Sequence, residues 1–135
     1  MMIVMRRDLK MRKGKIAAQA GHAAVEAVLL AIAKEDRTGD LAVTSDGVTL
    51  LPNGKADSAL SLWFRDGCAK ICVYVDSEEE LLSLAARAEE KGILCAVITD
   101  AGCTEFHGQP TRTCLAVEPL DEEIADSLTG ELPLY

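Results

Sequence analysis

The sequence is poor in aromatic residues and has no long apolar run. Aromatic side chains make up only 4% of the 135 residues, so the core must be built from Ala, Leu, Val and Ile. No uninterrupted apolar run reaches the roughly 18 residues of a membrane span. The opening MMIVMRRDLK places its apolar stretch before its basic residues, the reverse of a secretory signal. These absences predict one domain over residues 1–135, cytoplasmic and without membrane association.

Histidines and cysteines are too scattered to indicate a metal site. There are two histidines and five cysteines, an odd number with no Cys-x-x-Cys pair. The cysteines are predicted to be reduced thiols, with Cys72 and Cys95 acting as small core residues in strands. Without a His/Cys cluster at ligand spacing, we expect neither a metal nor a cofactor.

Positive charge is scarce except at the beginning of the chain. The net charge is −8, yet residues 1–15 contain six Arg or Lys residues against the single carboxylate of Asp8. This balance excludes a uniformly basic nucleic-acid binder. A local basic patch on an acidic body is still compatible with binding one phosphate-bearing end of a large ligand.

The pattern of apolar residues predicts alternating strands and helices. A strand, MIVMR, is followed by a helix predicted from Lys15 to about Lys34, with Gly14 just before it. The turn signal Asp46-Gly47 predicts a small hairpin within residues 35–60, outside the main core. A short helix, a strand, a second helix, two strands and a closing helix follow. Because no helix connects the last two strands, the sheet is predicted to be mixed.

A row of polar residues runs along one face of the first long helix. Offsets of 0, +4, +7 and +11 place four side chains in line: Lys15, Gln19, His22 and Glu26. This row could be a solvated face. Glutamine and histidine are unusual there, however, and the many alanines nearby would let other backbone approach closely.

Two further features indicate a site at the start of this helix. Free N–H groups there favour an anion, and Arg12 and Lys13 add positive charge. The segment TDAGCT follows an apolar strand, where open α/β sheets place binding groups, and it offers Asp100 and Thr104. Asp100 could simply cap a turn. With Lys15 nearby, the set instead suits attack by water on an ester or amide of a phosphorylated molecule.

Several separated segments resemble one known family. The segments DLKMRKGKIAAQAGHAAVEA, GCAKICVYVDSEEELLSLAARAEEKGI, ITDAGCTEF and PLDEEIADSLTGELPLY occur in the order found in the peptidyl-tRNA hydrolase type 2 family. The resemblance implies an α/β fold with a mixed four-stranded sheet sandwiched between helices. It also implies a homodimer that needs no metal and that hydrolyses the ester linking peptide to tRNA, so that tRNA is recycled.

The resemblance also implies roles for particular residues. Those at catalytic positions are Lys15, Asp100 and Thr104. Those at substrate-binding positions are Gln19, His22 and Thr113. Arg12 and Lys13 are predicted to bind substrate because of their charge at the start of the helix.

The sequence departs from the family pattern at several positions. Cys103 stands where the family usually has Arg or Lys, Cys68 where Gln is usual, and Glu118 where Gly is usual. Residues 35–60 are longer than the family's connection, and we interpret them as an insertion that contains the extra hairpin. These departures leave an alternative, a diverged relative that serves as a binding or regulatory module or hydrolyses another substrate.

Overall fold

A computed structural model describes residues 1–135, and it has six strands and four helices. In chain order they are β1 (Met2–Arg6), α1 (Lys13–Lys34), β2 (Leu41–Thr44), β3 (Gly47–Leu50), α2 (Ala59–Arg65), β4 (Ile71–Val75), α3 (Glu78–Glu90), β5 (Cys95–Asp100), β6 (Thr111–Val117) and α4 (Glu122–Thr129).

The main sheet has four strands in the order β4-β1-β6-β5. β1 is parallel to β4 and antiparallel to β6, and β6 is antiparallel to β5. Alternate strand residues face opposite sides, as pleating requires: Val4 packs with α3 and α4 in one core, and Met5 packs with α1 in another. The mixed four-stranded sheet between helices is therefore confirmed.

Small residues let α1 approach the sheet closely. Ala23, Ala24 and Ala27 are buried against strand residues such as Ile98 and Ala116. By length and hydropathy alone α1 would also suit a membrane span, a test that core helices of globular proteins often pass. Its hydropathy comes from eight alanines together with six larger apolar residues, two each of Ile, Val and Leu.

The helix begins earlier than the sequence pattern predicts. α1 starts at Lys13, with Arg12 as its N-cap, so Gly14 lies inside the first turn instead of before the helix. N–H groups in a first turn have no partner within the helix. Glycine is therefore less disruptive there than in a helix interior.

Residues 35–60 contain the predicted hairpin, which packs against the end of α1 and against α2. β2 and β3 make a separate two-stranded sheet. Leu50 at its base packs with Ile32 and Leu60. Arg37 is almost wholly buried, donates hydrogen bonds to Ser61 Oγ at 2.6 Å and to the Leu51 carbonyl, and pairs with nearby carboxylates. One buried guanidinium thus organises this segment; its status as an insertion stays a prediction.

All five cysteines are free thiols, as expected. Cys114 is buried, whereas Cys72 and Cys95 are only partly buried. Burial raises the pKa of Cys95 and of Cys114 to about 11, so both are protonated at neutral pH.

Candidate active site

The site forms where the first two turns of α1 meet the end of β5. α1 lies across β5 and β6, which brings Lys15 and Gln19 to Asp100, the last residue of β5. The Lys15 ammonium donates to Asp100 Oδ2 at 2.5 Å and to Thr104 Oγ1 at 3.2 Å. The three residues at predicted catalytic positions therefore lie together, with Asp100 and Thr104 both bonded to Lys15.

Gln19 lies behind the Asp100 carboxylate and is buried. Its Nε2 donates to Asp100 Oδ2 at 3.0 Å, and its Oε1 accepts from the Thr113 hydroxyl at 2.5 Å. Since Thr113 has no exposed surface, it acts on the site only through Gln19. The solvated-face alternative is therefore wrong for Gln19, although that face does reach solvent further along at His22.

The loop after β5 holds Asp100 in place with a tight turn. The Gly102 N–H donates to Asp100 Oδ1 at 2.9 Å. Gly102 has φ +82°, and a Cβ at this position would overlap the backbone of Gln109. Any other residue here would be strained and would collide with the returning loop, so glycine is required for the geometry of the carboxylate.

Asp100 is ionised and its charge is well satisfied. Its pKa is lowered, mainly by the hydrogen bond from Lys15, with further contributions from the Gly102 N–H and Gln19; desolvation opposes the shift. Both side chains of the ion pair are mostly covered, with exposures of 14% for Lys15 and 13% for Asp100. A carboxylate of lowered pKa is a weak base, so it is better suited to orienting water and holding the Lys15 side chain in place.

An open groove of about 380 Å³ borders this ion pair. Gln19, His22, Glu26 and Asp100 line it, together with residues 97–99 and Ala101. His22 is exposed and lines the groove, and it forms no hydrogen bond or ion pair with Lys15 or Asp100. A larger groove of about 900 Å³ lies between α3, α4 and the C-terminal segment, and contains none of the predicted residues.

Most of the positive charge near the start of the chain is paired internally. Arg6 pairs with Asp8 and Glu78, and Arg7 pairs with Asp76. The exposed Arg12 is held by Glu105, at 2.7 Å from its Nε. Lys13 is exposed and forms no ion pair within 4.0 Å. The structure therefore places Lys13 as a free cation and Arg12 as an engaged one.

Glu105 is the polar residue that the sequence reasoning missed. Its carboxylate also accepts the backbone N–H of Arg12, at 3.4 Å. The available signal was its place directly after Thr104, an acidic residue in a loop predicted to face a basic segment. No group of three or more His, Cys, Asp or Glu side chains is arranged to hold a metal ion.

Comparison with known proteins gives a consistent result along the whole chain. The family described as "Peptidyl-tRNA hydrolase PTH2" matches residues 1–135. The peptidyl-tRNA hydrolase of Methanocaldococcus jannaschii is 37% identical over 134 residues, covering 99% of this chain and 97% of that protein. That of Pyrobaculum aerophilum is 40% identical over 136 residues, covering 100% and 96%.

A eukaryotic relative extends the likeness. The probable peptidyl-tRNA hydrolase 2 of Drosophila melanogaster is 38% identical over 134 residues, which are 99% of this chain and 60% of the fly protein. With a family match from the first residue to the last and relatives of similar length above 30% identity, this chain belongs to the PTH2 family of peptidyl-tRNA hydrolases.

Proposed function

We propose that this chain hydrolyses the ester bond between peptide and tRNA in peptidyl-tRNA, and that the Lys15–Asp100 pair carries the reaction. The supporting observation is the meeting of Lys15, Asp100 and Thr104 beside an open groove. The names of the relatives support the substrate.

The reaction requires a positioned water and stabilisation of a developing oxyanion. Water attacks the ester carbonyl, its oxygen bonds to that carbon, and the bond to the tRNA oxygen breaks. The Lys15 ammonium stabilises the negative charge that grows on the carbonyl oxygen. Asp100 orients the water and holds the Lys15 side chain in place, and one proton of the attacking water ends on the tRNA oxygen, which leaves as a hydroxyl.

The other residues of the site have supporting roles in this proposal. The Thr104 hydroxyl accepts from Lys15 and is free to donate to the substrate or water. Gln19 and Thr113 hold the Asp100 carboxylate from behind. Gln19 also lines the groove, and contact of the two residues with substrate stays a prediction. His22 lines the groove and is proposed to contact the peptidyl end, and the unpaired Lys13 is proposed to bind a tRNA phosphate.

Asp100→Asn is the variant that tests this function. Asparagine keeps the shape but removes the charge that orients water and holds Lys15, so we expect kcat on peptidyl-tRNA to fall at least about 100-fold. The control is Asp66→Asn, which breaks the exposed ion pair with Arg65 and should leave kcat unchanged. Equal turnover by both variants would contradict the proposal.

The alternative, a diverged binding or regulatory module, draws support from the internal pairing of the basic segment. If the folded wild-type protein neither binds tRNA at low salt nor releases peptide from peptidyl-tRNA, this alternative replaces the proposal.

We also propose a homodimer formed through the exposed side of α1. Ala18, Gly21, Val25 and Leu29 line a groove of about 590 Å³ on this helix, with His22 and Glu26 on its border with the active-site groove, and Val25 and Leu29 are more than half exposed. Burying this row against a second copy would remove the apolar surface from water. We expect Leu29→Glu to give a monomer by light scattering, whereas Leu82→Glu on α3 leaves the mass of the wild-type protein.

The remaining expectations concern location and cofactors. We propose that the protein acts in the cytoplasm, away from membranes, and without a metal or other cofactor.

A further inference from the structure

The loop segment 103–105 forms no backbone hydrogen bonds of its own, although it lies inside a turn closed by hydrogen bonds from the Phe106 and Gly108 N–H groups to the Gly102 carbonyl. Gly102, Phe106, Gly108 and Gln109 on either side take part in backbone hydrogen bonds, but residues 103–105 take part in none. Two side-chain contacts fix this segment: Thr104 to Lys15, and Glu105 to Arg12. Within the turn that Gly102 and Phe106 close, those two contacts orient the Thr104 hydroxyl.

The Glu105 contact is the stronger of the two by geometry. One carboxylate oxygen accepts from Arg12 Nε at 2.7 Å and the other from the Arg12 N–H at 3.4 Å. The Glu105 side chain is only 14% exposed, whereas Thr104 is an exposed residue. Because Glu105 directly follows Thr104, anchoring Glu105 at the start of α1 also anchors Thr104 beside Lys15.

We propose that Arg12 and Glu105 are positioning residues that clamp the 103–105 segment so that the Thr104 hydroxyl meets Lys15. This inference rests on the proposed function. It gives Arg12 a role in kcat, in place of the tRNA phosphate contact that its charge suggests. Lys10 and Lys13, which are exposed and have no carboxylate partner, are left as the free cations for phosphate.

The two roles of Arg12 predict opposite kinetics. If Arg12 holds Glu105, then Arg12→Gln and Glu105→Gln both loosen Thr104, and each lowers kcat about fivefold with KM changed less than twofold. If Arg12 binds phosphate, Arg12→Gln raises KM, and Glu105→Gln lowers KM by freeing the guanidinium.

Combining substitutions tests whether the clamp acts through Thr104. The Arg12→Gln/Glu105→Gln double variant should lose no more than either single variant, because one interaction is removed in all three. In a Thr104→Ala background, Glu105→Gln should cause no further loss of kcat. Full additivity in either combination, or KM shifts of opposite sign in the single variants, would overturn the proposal. Asp66→Asn serves as the control for removing an exposed carboxylate.

A measurement without substrate separates this proposal from the proposed function. The ¹⁵N heteronuclear NOE of Cys103 and Thr104 should fall in Arg12→Gln and in Glu105→Gln, while that of the hairpin turn at Ser45 stays at the wild-type value. Absent turnover by the wild-type protein would refute the proposed function. A NOE that does not change in either variant would refute the clamp.

Discussion

The two ends of α1 carry the same kind of ion pair in very different surroundings. In the first turn, Lys15 pairs with Asp100 at 2.5 Å; in the last turn, Lys34 pairs with Glu118 at 2.7 Å. At the first, the carboxylate lies beside a groove and shares its lysine with an exposed threonine hydroxyl.

At the second end of α1, the Lys34–Glu118 pair forms hydrogen bonds with the surrounding backbone. Glu118 is buried and accepts the Leu94 N–H at 2.8 Å, while Lys34 donates to the Gly92 carbonyl at 3.0 Å. This contact joins the end of α1 to the turn before β5 and to the end of β6. Glu118 therefore serves as a structural bridge between these elements. A lysine–carboxylate pair alone does not identify a catalytic site; the groove and the free hydroxyl do.

The largest expected difference between the two ends is in turnover. Lys15→Met should lower kcat at least about 100-fold, because the ammonium that stabilises the oxyanion is lost. Lys34→Met should leave kcat within about twofold. Steady-state hydrolysis of peptidyl-tRNA by the two purified variants measures both kcat values. Similar losses of kcat in both would contradict a catalytic role that is specific to Lys15.

Stability should show the reverse pattern. Glu118→Ala leaves the Leu94 N–H without its acceptor and Lys34 without its partner, and should lower the free energy of unfolding by about 1–2 kcal/mol. Turnover per folded molecule should be unchanged. Asp100→Asn should change unfolding by less than about 1 kcal/mol, since functional residues are often dispensable for stability. Urea denaturation measures both, and a larger cost for Asp100→Asn would contradict this contrast.

The smallest expected effect is on how steeply the free energy of unfolding falls at acid pH. The pKa of Asp100 is lowered in the folded state, chiefly by Lys15, so the charged carboxylate stabilises the fold above its usual pKa of 3.8. That contribution is lost as the pH falls through the lower folded-state pKa. Asp100→Asn should therefore flatten the fall in stability below about pH 4. Unfolding measured from pH 2 to pH 6 checks this, and an acid limb as steep as that of the wild-type protein would count against the lowered pKa.

Much of the fold and the core of the site could be predicted from local patterns. Apolar periodicity and turn signals located the strands, the helices and the hairpin, because each depends on neighbours in sequence. The face shared by Lys15 and Gln19, and the place of Asp100 at a strand end, indicated where those groups would meet.

What could not be predicted depends on long-range packing. A helical pattern does not show which residues of the polar row lie against β5. It therefore does not predict that Gln19 is buried behind Asp100. The partners of Glu105 and Glu118 are 93 and 84 residues away in sequence. The burial of Arg37 cannot be predicted for the same reason, since one of its partners is a serine 24 residues away in sequence.

The most direct test of the central claim is single-turnover hydrolysis of peptidyl-tRNA by wild-type protein and Lys15→Met, with enzyme in excess at a concentration that saturates binding. We expect both proteins to bind the substrate and only the wild-type protein to release peptide rapidly. Release at the wild-type rate by the bound Lys15→Met variant would contradict it.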